Sequence, residues 1–270
     1  MEYIKNLSFK VIIRYMFELL RFNAAFGIFK LLKGIDYYRV FEYPIVFSIL
    51  DAYKKQNKTK SISLLDVGSS DTPFSLCLAK RNINVTAIDI DKKVTQLEKI
   101  AHKFDISNLK SIIADATKLP FLDNSFDRIT AISSIEHVLP ISDGDFKALK
   151  EIGRVLKPSG IAIITVPFND IFSQEWIFQS NQEKYLLRRY NEKDIYVRLI
   201  TPSNLQLIHM LFFCDDKKFY RLWYKLLVFF MAPISFIFAM IFLKIKEKPV
   251  NANGSVIILK KINNLVKENV

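Results

Sequence analysis

The run Leu64-Leu65-Asp66-Val67-Gly68-Ser69-Ser70-Asp71-Thr72-Pro73 constrains the fold more than any other stretch of this chain. An apolar segment ends at Gly68, a tight polar turn follows, and Pro73 stands where a helix begins. That is the strand–turn–helix opening of a nucleotide-binding α/β domain. The turn also separates one ligand class from another. A dinucleotide site wants three glycines, so that backbone N–H groups can close on an anionic pyrophosphate. Here Gly68 stands alone, and Asp71 puts a carboxylate where the phosphates would lie. A carboxylate there suits a cationic ligand, one with a sulfonium and an α-amino group.

Downstream the chain alternates. Thr72 to Arg81 reads as a helix with Pro73 at its first position. Ile83 to Ile90 is an apolar, β-branched strand, and Asp91 caps a helix running to His102. Leu109 to Ala114 and Phe126 to Ser133 are strands, and Phe146 to Leu156 is a helix. The turn Lys157-Pro158-Ser159-Gly160 leads into the strand Ile161 to Val166. Strands recurring with helices between them mean right-handed βαβ units and a parallel sheet.

Acidic residues fall where a nucleoside needs them. Asp89 ends the second strand, roughly twenty residues past the glycine turn, a spacing suited to ribose hydroxyls. Asp115 ends the third strand, with Ala116 next, where a carboxylate can accept from an adenine amino group. Either aspartate alone could be a helix cap. With Asp66 and Gly68 ahead of them in this order, the cofactor reading prevails, and S-adenosylmethionine fits better than NAD.

The segments LLDVGSS, VTAIDID, IIADATKLPFLDNSFDRI, SSIEHV and EIGRVLKPSGIAIITVP together resemble the type 11 group of class I S-adenosylmethionine-dependent methyltransferases. The resemblance runs from about Ser61 to Pro167. It implies an α/β, three-layer Rossmann-like fold whose mostly parallel seven-stranded sheet has the order 3-2-1-4-5-7-6. It implies that Asp66, Gly68, Ser69 and Ser70 line the methionine moiety and that Asp89 holds the ribose. Ile90 would pack on the adenine, Asp115 and Ala116 would frame its edge, and Ser133 would border the methyl end. The family turn usually reads Gly-x-Gly-x-Gly, and here Ser and Asp replace the later glycines. Ser69 and Ser70 are small, so cofactor binding is expected to survive.

For the acceptor side, His137 and Glu136 sit just after the fourth strand, at the carboxyl edge where open α/β sheets bind ligands. His137 is either a general base or a residue that packs the next helix. Arg39, Glu42 and Tyr43, in the stretch Tyr37 to Pro44, resemble the helix that covers the cleft in this family. An Arg39–Glu42 pair at i, i+3 could also be purely structural. The Asn/Asp-Pro-Pro-Tyr motif of nucleobase amine methylation is absent, as is a Pro-Cys nucleophile, so nucleic acid is an unlikely substrate.

Two apolar attachments complete the reading, with residues 1–58 as N-terminal helices and 59–270 as the methyltransferase domain. Lys10, Arg14, Glu18 and Arg21 recur at helical spacing among apolar residues, which describes either a membrane-surface helix or an ordinary packed one. Leu226 to Leu243 is an uncharged run within an insertion spanning 221–248, with Trp223, Tyr224 and lysines at its flanks. It separates two strands expected to pair, Met210 to Cys214 and Gly254 to Lys261, so one full crossing is disfavoured and a re-entrant or interfacial segment is expected. A second insertion, 168–200, emerges at the same sheet edge.

The net charge of +12 implies an acidic partner surface, anionic lipid or nucleic acid. Cys77 and Cys214 have neither disulfide-framework nor zinc spacing, which favours a reducing compartment and no metal. Lys5, Lys10, Arg14, Glu18 and Arg21 interrupt any signal-peptide core. The sequence is therefore expected to describe a cytoplasmic, membrane-associated methyltransferase acting on a small or lipid-linked acceptor: a lipid, quinone or glycan. Two alternatives stand beside it, a non-catalytic scaffold that kept the fold and an RNA-directed enzyme stacking bases on Lys217 to Lys225.

Overall fold

The computed structural model describes residues 9–27, 37–56, 61–178, 184–215 and 243–262. Two helices, α1 (Phe9–Ala25) and α2 (Tyr37–Gln56), precede the sheet. Then come β1 (Ile62–Val67), α3 (Phe74–Lys80), β2 (Ile83–Asp89), α4 (Gln96–Lys103), β3 (Leu109–Ile113), β4 (Phe126–Ile132), α5 (Gly144–Val155) and β5 (Leu156–Pro167). The strands β6 (Ser173–Phe178) and β7 (Lys184–Arg189) form a separate antiparallel hairpin. The chain finishes with β8 (Gln206–Asp215), β9 (Leu243–Lys246) and β10 (Gly254–Lys260).

Eight strands make one sheet in the order β3-β2-β1-β4-β5-β10-β8-β9. With β8 and β10 as the sixth and seventh strands, the expected order is present, and β10 runs antiparallel to both β5 and β8. The difference is β9, an eighth strand on the edge. Its Leu243-Lys244-Ile245-Lys246 alternation pairs antiparallel with Phe212 to Asp215. Lys244 and Lys246, expected as flanks of the apolar run, lie in this short edge strand, a pattern that discourages sheet-to-sheet association.

Alternation along each strand splits the core in two. Leu64, Ile161, Ile163, Val256 and Ile258 face α1, α2, α3 and α4, whereas Leu65, Ala162, Ile164, Ile257 and Leu259 face α5 and the helical turns near Leu199. Both faces are covered, which is why the central strands read as continuous apolar runs. Pro73 is the N-cap of α3 and not its first residue. Asp91 accepts from the Lys93 N–H and caps a short 3-10 turn that leads into α4.

Helix α1 is packed on the domain. Tyr15, Met16, Leu19 and Phe22 are buried, Glu18 pairs with Arg81 at 2.7 Å, and the Tyr15 hydroxyl donates to Asp51 at 2.7 Å. Of the two readings open for this helix, the structure supports packing: its apolar face is spent on α2 and α3.

Candidate active site

A cavity of about 760 Å³ opens along the carboxyl ends of the parallel strands, between the β1–β2–β3 edge and the β6–β7 hairpin. Its first half is acidic. Gly68 turns the chain at the end of β1 with φ +78°, and a Cβ there would lie 2.2 Å from the Ser134 Cβ. Only glycine satisfies both the left-handed backbone and the close approach. Ser70 follows, also left-handed at φ 45°. Its N–H donates to Asp89 at 2.8 Å, and the Asp91 N–H donates to the other Asp89 oxygen at 2.8 Å. The carboxylate is thereby fixed in direction, and each oxygen keeps a further acceptor site. Burial raises the Asp89 pKa above the usual carboxylate value, against the pull of those N–H groups.

Ile90, next along, leaves 75% of its surface open beside this carboxylate. Asp115 stands across from it in the wall, its Oδ1 accepting from the Thr117 N–H and hydroxyl at 2.8 Å each. Two carboxylates, an exposed branched apolar side chain and a backbone turn that admits nothing larger than glycine make a fitting cradle for a nucleoside. Asp89 suits the ribose hydroxyls, Ile90 an adenine face and Asp115 the adenine edge. The residues fit S-adenosylmethionine.

The second half has a different chemistry. The 3-10 turn Ile135–His137 follows β4 and presents Glu136 and His137 to the cavity. The His137 Nδ1 lies 2.5 Å from the Leu186 carbonyl oxygen. A carbonyl can only accept, so Nδ1 carries the proton and Nε2 keeps its lone pair. Burial lowers the His137 pKa, which keeps the ring neutral. Glu136 is 1% exposed, and burial foremost pushes its carboxyl up to about 8. Tyr185, Leu187 and Arg189 from β7, and Tyr38 and Arg39 from α2, complete this half. Arg39 donates to the carbonyls of Ile132 and Ser133 and pairs with Glu42 at 3.5 Å, so α2 is fastened to the end of β4.

Beneath the second half lies a buried cation. Arg188 is fully buried, and its guanidinium donates to the carbonyls of Glu136, Val138, Pro140 and Ile141. Its Nε lies 3.8 Å from Asp145, a buried carboxylate that also receives Tyr190 and Arg198. One arginine thus ties the hairpin to the turn carrying Glu136 and His137. Sequence reasoning missed this group. The available signal was the alternation Leu186, Arg188, Tyr190 on one face of β7 against Tyr185, Leu187, Arg189 on the other.

The other sequence-derived candidates divide as follows. Gly68, Ser70, Asp89, Ile90, Asp115, Ala116, Ser133, Glu136, His137 and Arg39 all line the cavity. Asp66 does not: it is buried, and its carboxylate accepts from the hydroxyls of Ser69, Ser75 and Thr130. Ser69 turns inward to Asp66, so of the two serines Ser70 alone lines the cavity. Asp71 also stands outside the wall, so Asp89 is the carboxylate that meets the cavity beside the turn. Glu42 accepts from the Ser133 hydroxyl at 2.5 Å, and Tyr43 stacks on Phe74 at 4.7 Å; both support the wall from behind. Among the described residues no cluster of His, Cys, Asp or Glu could hold a metal ion, and no helix is long and apolar enough to cross a membrane. Lys217 to Lys225 and the run from Leu226 to its last residues lie outside the described residues; Leu243 itself opens β9.

Residues 65–164 match the family model described as "Methyltransferase domain". The ubiquinone/menaquinone biosynthesis C-methyltransferase UbiE of Rickettsia peacockii is 39% identical over 118 residues, which is 41% of this chain and 46% of that one. The protein of the same name from Rickettsia bellii is 38% identical over 119 residues, with the same coverage. The match thus spans less than half the length of these curated relatives. Among solved structures, a SAM-dependent methyltransferase from Methanosarcina mazei superposes with a TM-score of 0.56 at 18% identity, covering 79% of this chain and 97% of that one. The (4+2)-cyclase SpnF superposes with a TM-score of 0.52 at 19% identity, covering 79% and 80%. These two show the fold, which by itself does not fix the reaction. Residues 65–164 thus match a methyltransferase domain, and the chain carries the fold of the Methanosarcina mazei methyltransferase.

Proposed function

We propose that this protein methylates a small oxygen-bearing aromatic acceptor of the quinol type, held at a membrane surface, using S-adenosylmethionine. The observation that carries the reading is the division of one cavity into an acidic nucleoside half and a half with a neutral imidazole lone pair. S-adenosylmethionine supplies an electrophilic methyl group from its sulfonium. The protein's own part is to hold the acceptor in line with that group and to take a proton from it. His137 Nε2 is placed to accept a ring hydroxyl proton, and the resulting phenolate is nucleophilic at oxygen and at the neighbouring ring carbon. The Rickettsia relatives are named as C-methyltransferases acting in ubiquinone and menaquinone biosynthesis, which supports a ring carbon of a quinol as the target.

The membrane element of the proposal rests on position. Asp215 and Leu243 are register partners of β8 and β9, so the chain leaves and re-enters the described structure at one spot, on the carboxyl edge that carries the cavity. Leu139, Ile171 and Phe178, from the loop after His137 and the hairpin insertion, leave more than half their surface open on this side. An apolar tail emerging from the acceptor half would meet them.

The test uses full-length protein, S-adenosylmethionine and a naphthohydroquinone with a short prenyl tail. The expected result is release of S-adenosylhomocysteine and a product heavier by one methylene, with the protein floating on anionic vesicles. Cofactor binding with no turnover on quinols, phenols or lipids would favour the scaffold reading. Vesicle binding abolished by high salt alone would remove apolar insertion from the account.

A further inference from the structure

Glu136 has more chemistry than a substrate wall requires. It sits at the end of β4 with 1% exposure, in the cavity wall, and its Oε2 has no hydrogen-bond partner. A buried polar atom without a partner is destabilising, and such atoms persist where a ligand completes them. The other carboxyl oxygen, Oε1, lies 3.7 Å from His137 Nε2, too far for a hydrogen bond. Arg188, directly below, is occupied by four carbonyls, one of them that of Glu136 itself.

We propose that the Glu136 carboxyl donates a hydrogen bond to an oxygen of the acceptor, so that Glu136 and His137 together select a ring bearing two oxygens. The proposal rests on the methyl-transfer reading above and assigns the recognition within it. Donor and acceptor stand side by side on one turn: the carboxyl O–H grips one ring oxygen while Nε2 takes the proton of the other. An acceptor with one oxygen can satisfy only one of the two.

Donation requires that the carboxyl keep its proton. Burial, helped by the neighbouring Glu42 on α2, raises its pKa to about 8, against the pull of its own backbone N–H, of Arg39 on α2 and of Arg188 on β7. His137 is held neutral by burial and so adds no opposing charge, and Tyr190, which also feels the Glu136 carboxylate, keeps its proton because burial raises its pKa. The donor form is therefore present at neutral pH and is lost as pH rises through about 8. Proton transfer to His137 leaves the Glu136 proton in place, so the two groups do not compete for one role.

The experiment titrates full-length protein, loaded with S-adenosylhomocysteine, with a short-tailed naphthohydroquinone and with the matching naphthol that lacks one ring oxygen. Wild type should prefer the hydroquinone by roughly tenfold, Glu136→Leu should lose that preference, and Glu136→Gln should keep most of it, because the amide still donates. The same preference in wild type and Glu136→Leu would overturn the assignment. Should Glu136→Leu fail to fold, the infrared difference between wild type and Glu136→Gln decides. A carboxylic-acid carbonyl band at neutral pH that moves when the hydroquinone binds supports the proposal, and its absence overturns it. Failure of S-adenosylhomocysteine to bind at all would instead overturn the methyl-transfer reading, and this assignment with it.

Discussion

The two halves of the cavity are built by opposite strategies. The cofactor half is local: Gly68, Ser70, Asp89, Ile90 and Asp115 come from three consecutive strand ends, and backbone N–H groups of the same or the adjacent loop fix its two carboxylates. The acceptor half is assembled from afar. Glu136 and His137 depend on Leu186 and Arg188 about fifty positions later, and on Arg39 and Glu42 nearly a hundred positions earlier. The charge differs as well. One half offers carboxylate acceptors to a donor-rich nucleoside, whereas the other offers a neutral acid and a neutral base to a ring.

The largest expected effect tests that separation. Arg188→Ala would leave Asp145 with an uncompensated share of buried charge and four carbonyls without their donor. Urea unfolding should show a loss of about 3–5 kcal/mol, the usual cost of breaking a buried pair from one side. Acceptor binding should suffer with it. S-adenosylmethionine affinity in the remaining folded protein should change little, and an equal collapse of both would erase the distinction between the halves.

His137→Ala sharpens it from the chemical side. Turnover should fall by roughly a hundredfold, within the range of a lost general base, with cofactor affinity preserved. Because burial lowers the His137 pKa, the neutral base persists below the ordinary imidazole value of about 6.5. The acidic limb of the rate profile should lie below that value in wild type and vanish in the variant. Equal losses in turnover and cofactor affinity would return His137 to a packing role.

Asp89→Ala is the complementary experiment. It should weaken S-adenosylmethionine by at least about tenfold, or about 1.4 kcal/mol, the order of one or two charge-assisted hydrogen bonds. Acceptor preference should remain. The smallest effect belongs to Ser70→Gly, which relieves a left-handed serine at φ 45°. Stability should shift by less than about 1 kcal/mol in the favourable direction, with cofactor affinity unchanged or slightly improved.

The same contrast explains what could be read from the sequence. Gly68, Asp89 and Asp115 announce themselves because strand, turn and carboxylate are neighbours in sequence, whereas the strand order is what the family resemblance implies. Asp66 shows the limit of that logic: the spacing is right, but three nearby hydroxyls draw its carboxylate inward. Arg188 announces itself only through its place beside Leu186 and Tyr190 on one face of β7, because its partners are loop carbonyls and not a patterned set of charged side chains. The β6–β7 hairpin lacked clean alternation, since its two faces meet a buried bolt on one side and a cavity on the other. Strand β9 was hidden at the end of a long apolar run, where four alternating residues look like the flank of a membrane segment. The packing of α1 was undecided for a related reason, because one amphipathic pattern serves a membrane and a protein core alike.

The central claim is that one cavity holds a nucleoside at β1–β2–β3 and presents its reactive end to Glu136 and His137. A crystal structure of the full-length protein with S-adenosylhomocysteine tests it most directly. The account predicts ribose hydroxyls on Asp89, adenine against Ile90 with its amino group toward Asp115, and the sulfur facing Ser133 and the Glu136–His137 turn. Adenosine bound elsewhere, or a sulfur turned away from that turn, would contradict it.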